Sequence, residues 1–252
     1  MHMGIDVGST GIKIVFTDDT VQELIWHTVV PTRPGQSQVV EELIQQGLDD
    51  CGLTRADIQR SCATGYGRHL ISGVDQVVDE ISANAAGMHA LSNGQARTLI
   101  NVGGQDVKII HLDESGTVTD FRMNDKCAAG TGRFFEMAAR ILDTPLSGFH
   151  VPHVLDGVNI NATCAVFAES EIVSLMAEDR DKDEIIQGIN RAVAKRIATL
   201  MGHGAPNAPV YLDGGPALNQ GLVECLEDAL LCDIHVLDQP QFTVAFGALA
   251  TP

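Results

Sequence analysis

The chain has 252 residues and a formal net charge of −17, from 33 acidic and 16 basic side chains. A chain this acidic lacks the basic surface that neutralises a phosphate backbone, which argues against nucleic acid as a partner. No apolar run approaches the roughly 20 residues needed to span a bilayer, and the first residues lack a signal-peptide pattern, so no membrane partner is expected. The six cysteines are scattered without a CxxC pair, which is typical of a reducing compartment. We therefore predict a cytoplasmic protein.

The predicted elements alternate between strands and helices along the chain. Residues 4–16, GIDVGSTGIKIVF, predict a strand, a tight Gly-Ser-Thr-Gly turn and a second strand. Helical spacing follows in 35–52, which ends at Gly52, a residue favoured just after a helix. Further strands are predicted at 59–65, 99–110, 209–215 and 233–237, and further helices at 79–94, after Cys127, and at 166–178, 183–202, 217–231 and 241–250. This order indicates an α/β fold.

The strand–turn–strand unit occurs twice, about a hundred residues apart. Residues 99–110, LINVGGQDVKII, align with residues 4–16 without a gap in either strand. The alignment pairs Asp6 with Asn101, Gly8 with Gly103, and Lys13 with Lys108. We expect two lobes of related topology that face each other across a cleft, one at 1–95 and one at 96–252. The final helix is a candidate to pack back on the first lobe.

The glycine turns of the two hairpins predict a nucleotide site. Small residues and free N–H groups at a turn let an oxyanion approach the backbone closely, and Ser9 and Thr10 add hydroxyl donors. Asp6 and Asp106 stand beside the turns, where they could hold Mg²⁺ through water. A single turn of this kind is usually only a tight turn. A third glycine pair, at 214–215 after a strand, favours the nucleotide interpretation.

Cys127 and Cys164 differ from Cys51, Cys62, Cys225 and Cys232 because each precedes a predicted helix. A helix amino terminus carries about half a positive charge and unpaired N–H groups, which stabilise anionic sulfur. Thiolates of this kind suit an iron–sulfur cluster, which normally takes four. One chain offers two, so a cluster would need two chains around a twofold axis. Burial as small apolar side chains is the alternative for every cysteine.

Several motifs resemble those of a known superfamily. GIDVGSTGIKIVF, LINVGGQDVKII and VYLDGGPALNQGL are similar to the first phosphate, second phosphate and adenosine motifs of the actin, Hsp70 and sugar-kinase superfamily. ATGYGRHLI, DKCAAGTGRFFE and TCAVFAESEIVSLMAE resemble one branch of it more closely. That branch is the iron–sulfur ATPases that activate 2-hydroxyacyl-CoA dehydratases, with relatives in benzoyl-CoA reductases.

The resemblance implies an actin-like ATPase fold of two ribonuclease-H-like lobes, with ATP or ADP in the cleft between them. Asp6 and Asp106 are the predicted catalytic and Mg²⁺-binding carboxylates. The predicted nucleotide contacts are Gly8, Ser9, Thr10, Lys13, Gly103, Gly104, Gln105, Gly130, Thr131, Gly132, Gly214, Gly215 and Ala217. Cys127 and Cys164 stand in the motifs that bind one [4Fe–4S] cluster per homodimer.

The function implied by the resemblance is ATP-dependent activation of a partner by one-electron transfer. A ferredoxin or flavodoxin would reduce the cluster, and ATP binding would reorient the lobes. The homodimer would then pass one electron to a dehydratase-like acceptor protein. An exposed shared cluster is expected to be oxygen-sensitive.

Other interpretations of the same residues remain. A small-molecule kinase of the sugar-kinase type would need a carboxylate base near the γ-phosphate, for which Glu80 and Asp125 are candidates. A non-catalytic ATP-binding module is another alternative. Zinc binding by Cys127 and Cys164 is a third, although no Cys/His spacing supports it. The sequence departs from the family at Asn84, where a histidine is expected.

Overall fold

A computed structural model describes residues 1–152, 157–161, 164–202 and 204–251. Their contacts divide the chain into two units. The first unit contains Met1–Ala96, Leu112–Val118 and Gln241–Pro252, and the second contains Arg97–His111 and Thr119–Pro240. The short segment 112–118 joins the first unit because its turn packs on a helix there, with Gly116 lying directly against the His89 ring.

The first unit holds a five-stranded sheet in the order β3-β2-β1-β4-β5. The strands are β1 His2–Val7, β2 Gly11–Thr17, β3 Leu24–Pro31, β4 Arg60–Thr64 and β5 Gln76–Val77. β1 pairs antiparallel with β2 and parallel with β4. The helices of the first unit are α1 Gln36–Cys51, α2 Glu80–Leu91 and, at the end of the chain, α7 Thr243–Ala250. Apolar side chains of β2 are buried on both faces, which is why helices cover both sides of this sheet.

The second unit repeats the plan with strand order β10-β9-β6-β7-β8. The strands are β6 Thr98–Val102, β7 Val107–Leu112, β8 Val118–Asn124, β9 Val210–Asp213 and β10 Ile234–Val236. The helices are α3 Gly132–Ile141, α4 Ala165–Ala177, α5 Lys182–Met201 and α6 Gln220–Leu230. Side chains of α3 to α6 share one apolar core with β6, β7 and β9, and the largest side chains of this core, Phe134 and Phe135 of α3 and Phe149 of the following loop, are fully buried.

The strand pairing confirms the internal repeat. In the first hairpin Asp6 lies opposite Lys13, and in the second Asn101 lies opposite Lys108. The two hairpins therefore have the same register, as the sequence alignment predicts. Strands β3, β5 and β8 were not predicted. Every β8 side chain is at least partly exposed, so this edge strand lacks the buried alternation by which a strand is recognised.

The helix ends follow from local chemistry. The side chains of Asp79, Asp181 and Asn219 accept hydrogen bonds from backbone N–H groups in the first turns of α2, α5 and α6. Gly52 ends α1 in the left-handed conformation, as the sequence predicts. Among the described residues no helix is long and apolar enough to cross a membrane.

The closest packing in the first unit is between α2 and α7. A Cβ built on Gly247 would lie 1.7 Å from the carbonyl oxygen of Ala83, and one on Gly87 would lie 2.2 Å from that of Thr243. Glycine is therefore required at both positions, because any side chain would force the two helices apart.

Replacing Gly247 with alanine is expected to lower the free energy of unfolding by about 3 kcal/mol or more, because the new methyl group overlaps backbone that cannot move aside. Chemical denaturation measures the free energy of unfolding of each variant. Gly11→Ala is the matched control, since its Cβ would meet its nearest atoms at 3.6 Å and should change the stability by less than about 1 kcal/mol. Equal stability of the two variants would contradict the packing described.

Candidate functional site

The first glycine turn, Gly8 to Gly11, joins β1 to β2 and is held by backbone hydrogen bonds. The Gly8 N–H donates to the Gly11 carbonyl at 3.0 Å. Thr32, directly after β3, supports the turn from outside: its hydroxyl donates to the Gly8 carbonyl at 2.8 Å, and its N–H donates to that of Thr10 at 3.0 Å. Ser9 and Thr10 are half-buried at the tip. The turn is thus preorganised by backbone hydrogen bonds and by Thr32.

Asp6 is the most buried carboxylate at this turn, with 4% of its surface exposed. Its Oδ2 accepts a hydrogen bond from Lys13 Nζ at 2.9 Å. Its Oδ1 is buried and has no hydrogen-bond partner among the described residues. A buried carboxylate oxygen is costly unless it is paired. Asp6 therefore keeps one acceptor oxygen that fits a water of a hydrated Mg²⁺ ion.

The loop after β4 closes around the same carboxylate. Thr64 lies beside Asp6 in the parallel pairing of β1 and β4, and its hydroxyl is also buried without a partner in the described part of the chain. Gly65 follows with φ +87°, and a Cβ there would lie 2.3 Å from Asp6 Oδ1. Only glycine allows this approach. Thr64 and Gly65 are site residues that the analysis of single motifs missed, because only the parallel pairing brings them to Asp6.

The second glycine turn, Gly103 to Asp106, joins β6 to β7 in the same way. The Gly103 N–H donates to the Asp106 carbonyl at 3.0 Å. Lys108 Nζ lies 2.8 Å from Asp106 Oδ2, with the lysine side chain 3% exposed and the aspartate side chain 25% exposed. Gln105 is exposed at the tip. Each hairpin therefore carries a lysine–aspartate pair, but the second aspartate comes from the turn and stands where the first hairpin has Gly11.

The GTG turn, residues 130–132, lies directly against the second glycine turn. The N–H of Gly132 donates to the Gly103 carbonyl at 2.8 Å, and the N–H of Arg133 donates to that of Gly104 at 2.9 Å. The hydroxyl of the fully buried Thr131 donates to the Ala128 carbonyl at 2.7 Å. These groups are occupied within the protein. Contact between Gly130, Thr131 or Gly132 and a nucleotide stays a prediction.

The third glycine turn, at 214–217, follows β9 and completes the same edge of the sheet. Gly214 has φ +92°, and a Cβ on it would lie 2.2 Å from the Val102 carbonyl oxygen at the end of β6. Because β6 and β9 are parallel neighbours, the second and third turns come together at their carboxyl ends. This edge is where α/β sheets bind ligands. Gly215 is half-buried there and Ala217 is buried.

The two cysteines singled out by the sequence differ in their relation to helices. Cys164 is the N-cap of α4, as predicted. Cys127 is not at a helix start: α3 begins at Gly132, with Thr131 as its N-cap. The predicted helix after Cys127 is confirmed, and the Ala128–Thr131 turn separates the thiol from it. Both thiols are half-buried, and α3, which follows Cys127, contacts α4.

The remaining cysteines are poor thiolate donors. Burial raises the pKa of Cys225 to about 11 and shifts the pKa values of Cys51, Cys62 and Cys232 in the same direction. A thiol with a raised pKa stays protonated near neutral pH, and the thiolate is the form that binds metal. Within the described ranges, no group of three or more His, Cys, Asp or Glu side chains could hold a metal ion. The cluster ligands implied by the family resemblance, Cys127 and Cys164, stay a prediction.

The residues considered for a kinase have ordinary surroundings. Glu80 lies in the first turn of α2 beside the capping Asp79. A carboxylate there is stabilised by the positive end of the helix dipole. Asp125 is exposed after β8. Asn84, where the family resemblance predicts a histidine, is fully buried within α2.

Comparison with known proteins matches residues 3–251 to the BadF/BadG/BcrA/BcrD ATPase family. An activator of lactoyl-CoA dehydratase from Anaerotignum propionicum is 40% identical over 248 residues, which cover 98% of this chain and 95% of the relative. The (R)-2-hydroxyglutaryl-CoA dehydratase activating ATPase of Acidaminococcus fermentans is 38% identical over 249 residues, which cover 98% of this chain and 94% of the relative.

A solved structure agrees with these sequence matches. The activator of the 2-hydroxyisocaproyl-CoA dehydratase from Clostridium difficile, with bound ADPNP, has a TM-score of 0.92 to this chain at 35% identity, and the match covers 99% of this chain and 92% of the other. The α/β class and the actin-like ATPase fold predicted from the sequence are confirmed. Since the family match extends over nearly the whole chain, this protein belongs to the BadF/BadG/BcrA/BcrD ATPase family.

Proposed function

We propose that this chain is an ATP-driven activator that passes one electron to a 2-hydroxyacyl-CoA dehydratase-type partner. It acts as a homodimer that shares one [4Fe–4S] cluster and receives electrons from a ferredoxin or flavodoxin. The activators and the activating ATPase among its relatives support this proposal, because each match covers nearly the whole chain. The small-molecule kinase is not favoured, since these relatives activate dehydratases. A cytoplasmic location stays a prediction.

The observation that carries the proposal is the pair of hydrogen bonds from the GTG turn to the second glycine turn. The N–H groups of Gly132 and Arg133 donate to the carbonyls of Gly103 and Gly104. The GTG turn begins three residues after Cys127, so one short segment connects the cysteine with the predicted phosphate contacts. A shift of the second glycine turn on exchange of ADP for ATP would be transmitted to the Cys127 segment. ATP drives that change only if it binds the two arrangements with different affinity.

Cys127 and Cys164 are the residues that would hold the cluster, two thiolates from each of two copies. When bound, the cluster would supply a one-electron redox centre. The start of α4 supports pairing of two copies at this point. Val166 and Phe167, directly after Cys164, are 67% and 66% exposed. Apolar side chains this exposed favour coverage by a second copy of the chain.

ATP and Mg²⁺ would be held by the glycine turns and their carboxylates. The turns supply backbone N–H groups and the hydroxyls of Ser9 and Thr10, while Lys13 and Lys108 provide positive charge. Asp6 is the better placed Mg²⁺ residue, because its Oδ1 is free for a metal-bound water and its position is fixed by Lys13. Asp106 is more exposed and is also paired with a lysine.

Asp6→Asn is expected to lower the Mg²⁺-dependent ATPase rate by about 100-fold, since a preorganised carboxylate next to the transferred phosphoryl group is lost. Phosphate release measures the rate. Asp125→Asn is the matched control, with the same change at an exposed aspartate, and should retain activity within about twofold of the unaltered protein. The opposite ranking of the two variants would indicate the kinase, for which Asp125 is a candidate base.

Gly132→Pro is expected to uncouple nucleotide from Cys127. Proline removes the N–H that donates to Gly103, yet it suits the first helical position, and Thr131 already has the extended backbone that precedes proline. Alkylation of Cys127 in cluster-free protein, compared between ADP and a non-hydrolysable ATP analogue, measures the coupling. In the unaltered protein the alkylation rate of Cys127 should differ between ADP and the ATP analogue. In the variant the rate should be the same with both nucleotides.

Gly132→Ala is the control for this experiment, because it keeps the N–H and its Cβ would lie 3.2 Å from the nearest atoms of the second glycine turn. It should retain most of the difference between the two nucleotides. Equal alkylation rates in the unaltered protein would contradict the proposed coupling.

Protein purified without oxygen is expected to contain about two iron and two sulfide ions per chain, which is half a four-iron cluster. Cys127→Ala and Cys164→Ala should lose this iron and Cys225→Ser should keep it, because the pKa of Cys225 is raised to about 11 and its thiol stays protonated. Iron analysis and sedimentation measure the outcome. A monomer that takes up no iron on anaerobic reconstitution would contradict the shared cluster.

A further inference from the structure

Three basic side chains of the second unit, Lys126, Lys195 and Arg196, have no ion-pair or hydrogen-bond partner among the described residues. This is unusual in a chain with about twice as many acidic as basic residues. Most other basic side chains form an ion pair or a hydrogen bond. The ion pairs are Lys13–Asp6, Arg55–Glu41, Lys108–Asp106, Arg133–Glu136, Arg140–Glu169 and Arg180–Glu184. Arg60, Arg68 and Arg122 donate to backbone carbonyls.

The three side chains form one surface, which we call the basic surface. Lys126 and Arg196 line a cavity of about 450 Å³, and Lys195 and Arg196 line a second cavity of about 480 Å³. Thr199 of α5 lines both cavities, so they are neighbours on the same side of that helix. Lys126 and Lys195 are exposed, and Arg196 is half-buried. The charged groups therefore face solvent together.

Nearby carboxylates do not neutralise the basic surface. Asp125 lines the first cavity and Glu171 the second. Neither carboxylate forms an ion pair with the three basic side chains, and Glu171 accepts a hydrogen bond from the Asn161 N–H at 2.6 Å. The surface keeps a local positive charge on a strongly negative molecule.

The basic surface borders the Cys127 segment. Lys126 is the residue next to Cys127, and Asn124 of the first cavity donates from its side chain to the Cys127 carbonyl at 3.1 Å. Arg196 lies against the GTG turn, where a Cβ on Gly130 would be 2.8 Å from Arg196 Cγ. A protein docked on this surface would lie beside the cysteine.

We propose that the basic surface is the docking site for an acidic one-electron carrier protein. A net charge of −17 repels an acidic partner from most of the molecule, so a cluster of three unpaired positive charges determines where such a partner approaches and how it is oriented. The inference rests on the proposed function, which requires an electron donor. It concerns binding alone and does not depend on which donor is used in the cell.

The test is the affinity of an acidic [4Fe–4S] ferredoxin for the protein purified without oxygen, measured by calorimetry at low ionic strength. The double variant Lys126→Glu/Lys195→Glu should bind about tenfold more weakly than the unaltered protein, with the difference shrinking as salt screens the charges. Lys195→Arg should bind like the unaltered protein. Lys182→Glu/Arg33→Glu is the matched control, because it reverses two charges on side chains that have no partner in the described chain and do not line these cavities.

Iron and sulfide analysis of each variant separates this inference from the proposed function. Loss of ferredoxin affinity with unchanged iron content supports the docking surface. Equal affinity of the double variant and the unaltered protein would overturn it, as would an equally large loss in the control variant. Absence of ferredoxin binding by iron-loaded, unaltered protein would overturn it as well, while leaving the shared cluster in place.

Discussion

The structure of the candidate site depends on close contact between backbone segments at the carboxyl ends of parallel strands. Gly132 and Arg133 donate to Gly103 and Gly104, and Gly214 lies against the Val102 carbonyl. In the first unit Gly65 lies against Asp6 in a similar way. The contacts of Gly65 and Gly214 leave no room for a side chain, so only glycine permits them. The turns are consequently held in place before any ligand binds.

This backbone contact is the basis of the proposed coupling between the nucleotide and the Cys127 segment. The GTG turn is bonded to the second glycine turn on one side, and Arg196 packs against it on the other. The segment from Cys127 to Arg133 is therefore in contact with the second glycine turn and with α5. Because packed elements of this kind have discrete arrangements, a small change at one end can be transmitted to the other.

The two hairpins of the internal repeat have the same strand register but carry different carboxylates. The lysines of both hairpins occupy the same register position and both pair with an aspartate. Asp6, however, belongs to a strand and keeps one oxygen unpaired, whereas Asp106 belongs to a turn. The two hairpins thus offer similar positive charge but different carboxylates. This asymmetry favours Asp6 as the Mg²⁺ residue, although the sequence presents both aspartates alike.

The sequence by itself determined the α/β class, the repeated hairpin and its register, and the three glycine turns, because strand alternation and turn residues are local properties. Only the tertiary structure brought Thr64 and Gly65 to Asp6 and bonded the GTG turn to Gly103 and Gly104, because these contacts join residues distant in the chain. It also fixed the turn between Cys127 and α3, where the buried Thr131 hydroxyl donates to the Ala128 carbonyl. The basic surface was likewise invisible in a chain of net charge −17, because it arises from two segments that meet only in the fold.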